Sequence, residues 1–287
     1  MIIDGKAIAK QYASILKNTM PDTIGLTAIL VGHHPVSKIY IEQKRKVAEE
    51  IGIHFNCITL PETTNESELS DVIDQLNHNI NVHGIILQLP LPHPLKPEIF
   101  LSKISPLKDV DGLHPHNLGS LFQDKIQFAP CTPQGCVQLI KTVIPHLSGK
   151  KALILGRSNL VGKPLYHLLL RQNATVQIAH SKSKNLKELC HHNDIIIAAM
   201  GAPQFIDDSF VNEHHTIIDV GITKVGNNIY GDVHFQKVEP IVKHITPVPG
   251  GVGPMTVFNL MLNTVIAYMR SKNITLPHTL SVLSQTH

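Results

Sequence analysis

Lys151-Ala152-Leu153-Ile154-Leu155-Gly156-Arg157-Ser158-Asn159-Leu160-Val161-Gly162 is the stretch that decides the fold. An apolar run too short for a helix leads straight into a glycine, which is how a buried strand enters a tight turn. A helix is expected next, over Leu165 to Arg171, and a second strand over Thr175 to Ala179. Strand, turn, helix, strand is the repeating element of a parallel sheet with helices on its faces.

Outward from this stretch the alternation continues. Asp194 to Ala199 and Thr216 to Val220 read as further strands. Upstream, Thr132-Pro133 has the residue types of an N-cap and first helical position, with the helix reaching about Pro145. Downstream, the glycine-rich Pro247-Val248-Pro249-Gly250-Gly251-Val252-Gly253-Pro254 precedes a last apolar helix over about Thr256 to Met269. The first half alternates in the same way. Helices are expected over 6–19, 35–51 and 66–77, and strands over 26–31, 53–60 and 84–89. The fold class is therefore α/β: two αβα domains, the second a Rossmann-like dinucleotide-binding domain, with a cleft between them. The expected boundaries are 1–122 and 123–261, with a C-terminal helix over about 262–287 packing back on the first domain.

The turn is a candidate cofactor site. It departs from the G-x-G-x-x-G fingerprint because Ser158 stands at the middle glycine position. An ordinary strand-to-helix turn remains the alternative. An NAD-specific site would carry an acidic residue about 20 positions on, to bind the ribose 2′-hydroxyl. Here the second strand runs out in Ala179-His180-Ser181-Lys182, with no carboxylate to repel a 2′-phosphate. Arg157, Ser181 and Lys182 suit such a phosphate, which points to NADP.

Bulk properties exclude several classes. The net charge of the 287 residues is +3, without long runs of one sign, and Trp is absent. Neither a nucleic-acid surface nor a base-stacking platform is implied. No apolar run reaches the ~18 residues of a membrane span, so no membrane partner is expected, and no signal peptide is read. The four cysteines form no CxxC pair, which suits structural thiols in a reducing cytoplasm. The 19 histidines are scattered. The doublets at 33–34, 191–192 and 214–215 lack ligand spacing, His114 and His116 share one side of an extended segment without a third ligand, and no metal is expected.

One residue breaks its pattern. Val36, Tyr40, Val47, Ala48 and Ile51 form a helical stripe started by Pro35 and stopped by Gly52, and Lys44 sits within it. Spacing alone leaves two readings open: a lysine snorkelling to water from the stripe's edge, or an amine able to lose its proton and act as a base. Gln88 ends the third strand of the first half, on the rim where parallel sheets bind ligands.

Read together, the motifs resemble those of the bifunctional methylenetetrahydrofolate dehydrogenase/cyclohydrolase family. The matching segments include Tyr40-x-x-x-Lys44, Leu87-Gln88-Leu89-Pro90-Leu91-Pro92, Lys108-Asp109-Val110-Asp111-Gly112 and Pro130-Cys131-Thr132-Pro133. They continue with Gly156-Arg157-Ser158, Asp219-Val220-Gly221-Ile222, Gly231-Asp232-Val233 and Thr246 through Thr256, in the family's order over nearly the whole chain. The resemblance implies NADP-dependent oxidation of 5,10-methylenetetrahydrofolate, then hydrolysis to 10-formyltetrahydrofolate. It also implies a role in one-carbon metabolism and purine biosynthesis.

It assigns Lys44 to proton transfer, Gln88 to orienting that lysine, and Tyr40 to stacking on the folate ring. Asp111 would recognise the pterin, while Asp109 structures the loop. Pro249, Gly250 and Gly251 would line the folate, with Gly253 adding close main-chain approach. Gly156, Arg157, Ser158, Ser181 and Ile222 would hold the cofactor. Thr256 stands at a helix start, either as its cap or against the cofactor, and Ser37 is a weaker candidate near the folate. Tetrahydrofolate derivatives are the expected partners, together with a second copy in a homodimer. No formate-activating synthetase domain is expected after the last helix. A dehydrogenase without cyclohydrolase activity and a non-catalytic dinucleotide-binding regulator are the alternatives.

Overall fold

The computed structural model describes residues 1–19, 24–226 and 228–284. In chain order the elements are α1 (Gly5–Lys17), β1 (Gly25–Val31), α2 (Pro35–Ile51), β2 (His54–Leu60), α3 (Glu66–His78), β3 (Gly84–Leu87), α4 (Pro97–Leu101) and α5 (Pro115–Leu121). They continue with α6 (Cys131–Val143), β4 (Lys151–Leu155), α7 (Gly162–Arg171), β5 (Thr175–Ala179), α8 (Leu186–His191), β6 (Ile195–Ala198) and β7 (Thr216–Asp219). The last are β8 (Thr223–Val225), β9 (Asn228–Tyr230), α9 (Phe235–Val238), β10 (His244–Ile245), α10 (Val252–Ser271) and α11 (His278–Ser284).

The chain forms two compact units. One comprises residues 12–131 and 257–287, the other 1–11 and 132–256. The first carries a parallel sheet in the order β2-β1-β3. β1 is central and buried from Leu26 to Val31, so its sequence is a continuous apolar run rather than an alternation. Ile29, Val31, Leu69, Ile73, Ile85, Leu87 and Phe100 form the core beneath it. Gly52 ends α2 in the left-handed region at φ 104°, where only glycine is unstrained. Asn65 begins α3 with a capping box: its side chain accepts from Ser67 and Glu68 N–H, and Glu68 accepts from Asn65 N–H.

The other unit carries a five-stranded parallel sheet in the order β10-β7-β6-β4-β5. From β4 the chain steps outward to β5, then crosses back to β6 on the other side of β4. The strand order therefore reverses between β4 and β6, the point at which doubly wound sheets bind ligands. Leu153, Leu155, Ile196, Ile217, Val233 and Ile245 fill the core. Ile3 N–H donates to Ile245 O at 2.8 Å, alongside a parallel bridge from Ile2 to Ile245. This pairing groups residues 1–11 with the five-stranded unit, whereas the sequence reading put them in the first domain.

Three further expectations change. Helices α6, α7 and α10 each start two residues before a proline, at Cys131, Gly162 and Val252, earlier than the sequence suggested for all three. First-turn N–H groups have no intrahelical acceptor, so Pro133, Pro164 and Pro254 sit there at no cost. Thr132 and Thr256 are consequently inside their helices. The C-terminal segment forms two helices instead of one. By length and composition α10 is apolar enough to cross a bilayer, contrary to the expectation of no such run; 78% of that stretch is buried in the protein, as in a core helix. The β8–β9 hairpin was not anticipated.

Candidate active site

In the three-stranded unit the buried line of α2 runs through Ser37, Ile41, Ala48 and Ile51. Ala48 and Ile51 lie on it as expected, whereas Ser37 and Ile41 take the places expected of Val36 and Tyr40, which are half-buried beside it. Lys44 falls on the same line, half-buried and one turn after Tyr40. Its Nζ donates to Gln88 Oε1 at 3.0 Å. Gln88 is 8% exposed, and its N–H extends the sheet by donating to Ile29 O at 2.9 Å. Its Nε2 donates to Leu89 O at 2.7 Å. That second bond fixes the flip of the amide, so an oxygen faces the lysine and an N–H₂ faces the backbone.

Asp111 lies in the loop between α4 and α5, two residues after Asp109, which bridges in parallel to Ile85 of β3. Asp109 is fully buried and accepts from Leu113 N–H at 3.1 Å, His114 N–H at 2.8 Å and Asn117 Nδ2 at 2.8 Å. Burial pushes its carboxyl upward against those donors, and its work is to fold the loop. Gly112, at φ 71°, packs so closely on Ala129 and Pro130 that a side chain there has no room. His114 caps α5 and accepts from His116 N–H at 2.9 Å; this pair is a helix start, not an extended segment.

Two residues beside Asp111 were missed. Cys131 donates to Val110 O at 3.3 Å, and Asn263 Nδ2 donates to the same oxygen at 2.8 Å and to Ala129 O at 3.2 Å. Burial holds the Cys131 thiol well above its ordinary range, reinforced by Asp111 and opposed by Lys44. Lys44, Asp111 and Cys131 thus share one electrostatic neighbourhood. An amide at position 263, amid an apolar helix, was a usable signal that some buried acceptor needed it.

In the five-stranded unit, Gly156 ends β4 at φ 130°, with its open side against the Ala199 carbonyl. Any side chain there collides with the end of β6, at the point where strand order reverses. Gly162 likewise abuts the Gly156 carbonyl. Ser158 Oγ accepts from Val161 N–H at 3.1 Å, so this serine shapes the turn into α7. At the end of β5, His180 N–H donates to Ser183 Oγ at 3.0 Å, and Lys182 N–H donates to His180 Nδ1 at 3.2 Å. This small turn leaves Ser181 and Lys182 exposed, as Arg157 is. A glycine turn opening a helix N-terminus, with cations and no carboxylate on the neighbouring strand end, fits a phosphorylated dinucleotide.

Ile222 follows β7 and is 50% exposed. Thr256 lies one turn into α10; its hydroxyl bonds Val252 O at 3.2 Å and pairs with Thr132 Oγ1 at 3.0 Å. It therefore caps nothing. Pro249, Gly250 and Gly251 fall in this unit, while the other folate candidates belong to the three-stranded one. Gly250 adopts φ 108°, and Gly251 is crowded by Pro247 O and Thr246; backbone conformation requires the first glycine and local packing the second. Gly253 has open space beside it. Asp219 and Asp232 were not singled out, yet both are buried and carry six main-chain N–H bonds between them. Among the described residues, no group of three His, Cys, Asp or Glu side chains is placed to hold a metal ion.

A reversed parallel sheet with a glycine turn at its reversal point, and a second unit presenting a lysine locked on a glutamine, define a two-unit nucleotide-binding α/β protein. The sequence profile of the tetrahydrofolate dehydrogenase/cyclohydrolase NAD(P)-binding domain matches residues 130–272. That of the family's catalytic domain matches residues 3–111. The chain belongs to the tetrahydrofolate dehydrogenase/cyclohydrolase family.

The bifunctional protein FolD of a Wolbachia from Drosophila simulans is 45% identical over 283 residues, covering 96% of this chain and 97% of that protein. FolD of Pelagibacter ubique is 44% identical, covering 95% and 99%. The solved FolD of Campylobacter jejuni superposes with a TM-score of 0.90 at 39% identity, covering 94% of this chain and 99% of that one. A Trypanosoma brucei FolD complexed with NADP and an inhibitor superposes at 0.89 with 32% identity, covering 95% and 98%.

Proposed function

We propose that this chain is a bifunctional folate enzyme. It oxidises 5,10-methylenetetrahydrofolate with NADP and hydrolyses the resulting 5,10-methenyl compound to 10-formyltetrahydrofolate. The contact from Lys44 Nζ to Gln88 Oε1 at 3.0 Å carries the reading, because only the hydrolytic step needs an oriented amine.

When bound, NADP supplies the hydride acceptor. The chain's task in that step is orientation, holding the folate carbon still rather than moving protons. Arg157, Ser158, Ser181 and the Gly156 turn would hold the dinucleotide, with Lys182 assisting. Ile222 and Thr256 are assigned to it by family resemblance. For hydrolysis, a neutral Lys44 removes a proton from the water attacking the methenyl carbon. The ammonium then returns that proton to the departing ring nitrogen as its bond to carbon breaks, and the hydroxyl left on that carbon releases its own proton to solvent as the formyl C=O forms. Substrate cation and lysine repel, which favours the neutral amine once folate is bound. Tyr40 offers a ring face to the folate aromatic group. Asp111 accepts two parallel hydrogen bonds from the amino-pyrimidinone edge. Pro249, Gly250 and Gly251 are assigned to the folate as well.

Further parts of the proposal have separate support. The exposed Val225 and Ile229 on the β8–β9 hairpin favour a homodimer that covers them. Unpaired thiols and a net charge of +3 favour a cytoplasmic enzyme of one-carbon metabolism and purine biosynthesis, acting on small molecules and not on nucleic acid or membrane. One assay tests the core of it. Protein, methylenetetrahydrofolate and NADP are mixed, and methenyl absorbance is followed. No rise refutes the dehydrogenase. A rise that decays no faster than a protein-free control refutes the cyclohydrolase.

A further inference from the structure

Two buried carboxylates lie near the carboxyl ends of β6 and β7 in the five-stranded sheet, and the chemistry above uses neither. Asp232 is fully buried. Its Oδ2 accepts from Met200 N–H at 2.6 Å and Gly201 N–H at 3.1 Å, and its Oδ1 accepts from Ala202 N–H at 2.8 Å. Three consecutive main-chain donors thus converge on one side chain.

The segment they belong to is the one that matters for a dinucleotide. Ala199 N–H donates to Leu155 O at 2.8 Å, extending the β4–β6 ladder by one residue. The Ala199 carbonyl fills the space beside Gly156. Directly after it the chain must turn away from the sheet, and Gly201 does so at φ 68°. No strand or helix supports residues 200–202; the Asp232 carboxylate does.

Asp232 is itself held. Asp219, at the end of β7, accepts from Asp232 N–H at 2.9 Å, Val233 N–H at 2.9 Å and Gly221 N–H at 2.9 Å. Gly231 lies so close to the Asp219 carboxylate that a side chain there is excluded. The two carboxylates therefore couple the loop after β6 to the loop after β7, which carries Ile222.

We propose that Asp232 is a positioning residue for the dinucleotide, fixing residues 200–202 beside the glycine turn, with Asp219 fixing Asp232 in turn. The proposal rests on the reading of this unit as the NADP site. Asp232 does not bind the cofactor, since its oxygens are taken by the backbone. It keeps those three N–H groups from pointing elsewhere, and so sets the wall against which the cofactor lies.

The test compares wild type, Asp232→Asn and Asp232→Ala by NADPH fluorescence titration, by cofactor-free hydrolysis of methenyltetrahydrofolate, and by circular dichroism. Asparagine keeps one acceptor oxygen and turns an N–H₂ toward the remaining donors; alanine removes both acceptors. Expected are a rise in the NADPH Kd of about tenfold for alanine and about threefold for asparagine, with hydrolysis within about twofold of wild type. Should the alanine variant not fold, the asparagine variant decides by the same readouts. NADPH binding unchanged in a folded variant overturns the proposal. So does a parallel loss of binding and hydrolysis, the mark of a purely structural clamp. Wild-type protein that fails to bind NADPH overturns the cofactor reading beneath it, which the variants alone cannot do.

Discussion

Replacing Gln88 with leucine removes the acceptor that holds Lys44 while keeping a side chain of similar volume in a site only 8% exposed. Leu89 O also loses its donor, but Leu89 is half-buried and water can replace that bond. With Lys44 acting as a neutral amine, the bond it loses joins uncharged groups and contributes about 0.5–1.5 kcal/mol. At about 1.36 kcal/mol per tenfold in rate, full loss of orientation slows hydrolysis by about 2- to 13-fold. Gln88 is buried, where such a bond is stronger, so the upper end of that range is expected. The assay is decay of methenyl absorbance at saturating substrate, with the dehydrogenase rate measured in parallel as the control that the site remains built. Gln88→Glu sharpens it: a carboxylate facing Lys44 favours the ammonium, so the hydrolysis profile moves to higher pH. Hydrolysis by Gln88→Leu within twofold of wild type, with the dehydrogenase rate intact, refutes the assignment of Gln88 as the residue that orients the base.

Three further outcomes are expected. Lys44→Met retains NADP binding and loses cyclohydrolase turnover, and residual hydrolysis at the wild-type rate would falsify its role as base. Arg157→Ala weakens NADPH about tenfold or more by removing a charged bond to the 2′-phosphate, and leaves NADH unaffected; equal weakening of both, by titration, removes Arg157 from specificity. His215 is 1% exposed and accepts from Asn212 N–H at 3.0 Å, and burial, followed by the neighbouring His191, holds its pKa down to about 4. The folded state then binds fewer protons than the unfolded between pH 4 and the ordinary value near 6.5. Stability therefore falls by up to about 3 kcal/mol as pH drops through that window, and thermal melts of His215→Gln show a flatter acid limb.

The parts of this fold that were legible in the sequence are those with local causes. β4 and β5 run as expected from apolar residues ended by Gly156 and the polar 180–183 turn, and Gly52 stops α2 because its φ demands glycine. Lys44 and Gln88 were singled out from different elements, and they meet at 3.0 Å. The errors have non-local causes. In α2, Ala48 and Ile51 are buried as expected, but at the start of the helix Tyr40 is as apolar in pattern as Ile41, and only tertiary packing decides between them. Helix starts were placed late because proline was taken as the boundary, whereas a first turn accepts it freely. Asp219 and Asp232 stood inside matching motifs without an assigned role, since nothing local reveals donors from residues 200–202 or 221.

The discontinuity of the two units has a consequence for how the chain folds. Each unit is assembled from segments that flank part of the other: 12–131 needs 257–287, and 132–256 needs 1–11. The edge strand β10, closed by Ile2 and Ile3, cannot acquire its neighbour from any fragment that begins after α1. Nor can Val110 O find Asn263 until the ribosome has passed nearly the whole message. Neither unit is therefore a contiguous stretch of the chain, and the first receives its last segment, 257–287, only as synthesis ends. Separating the two activities by cutting the gene in the middle removes a piece of both.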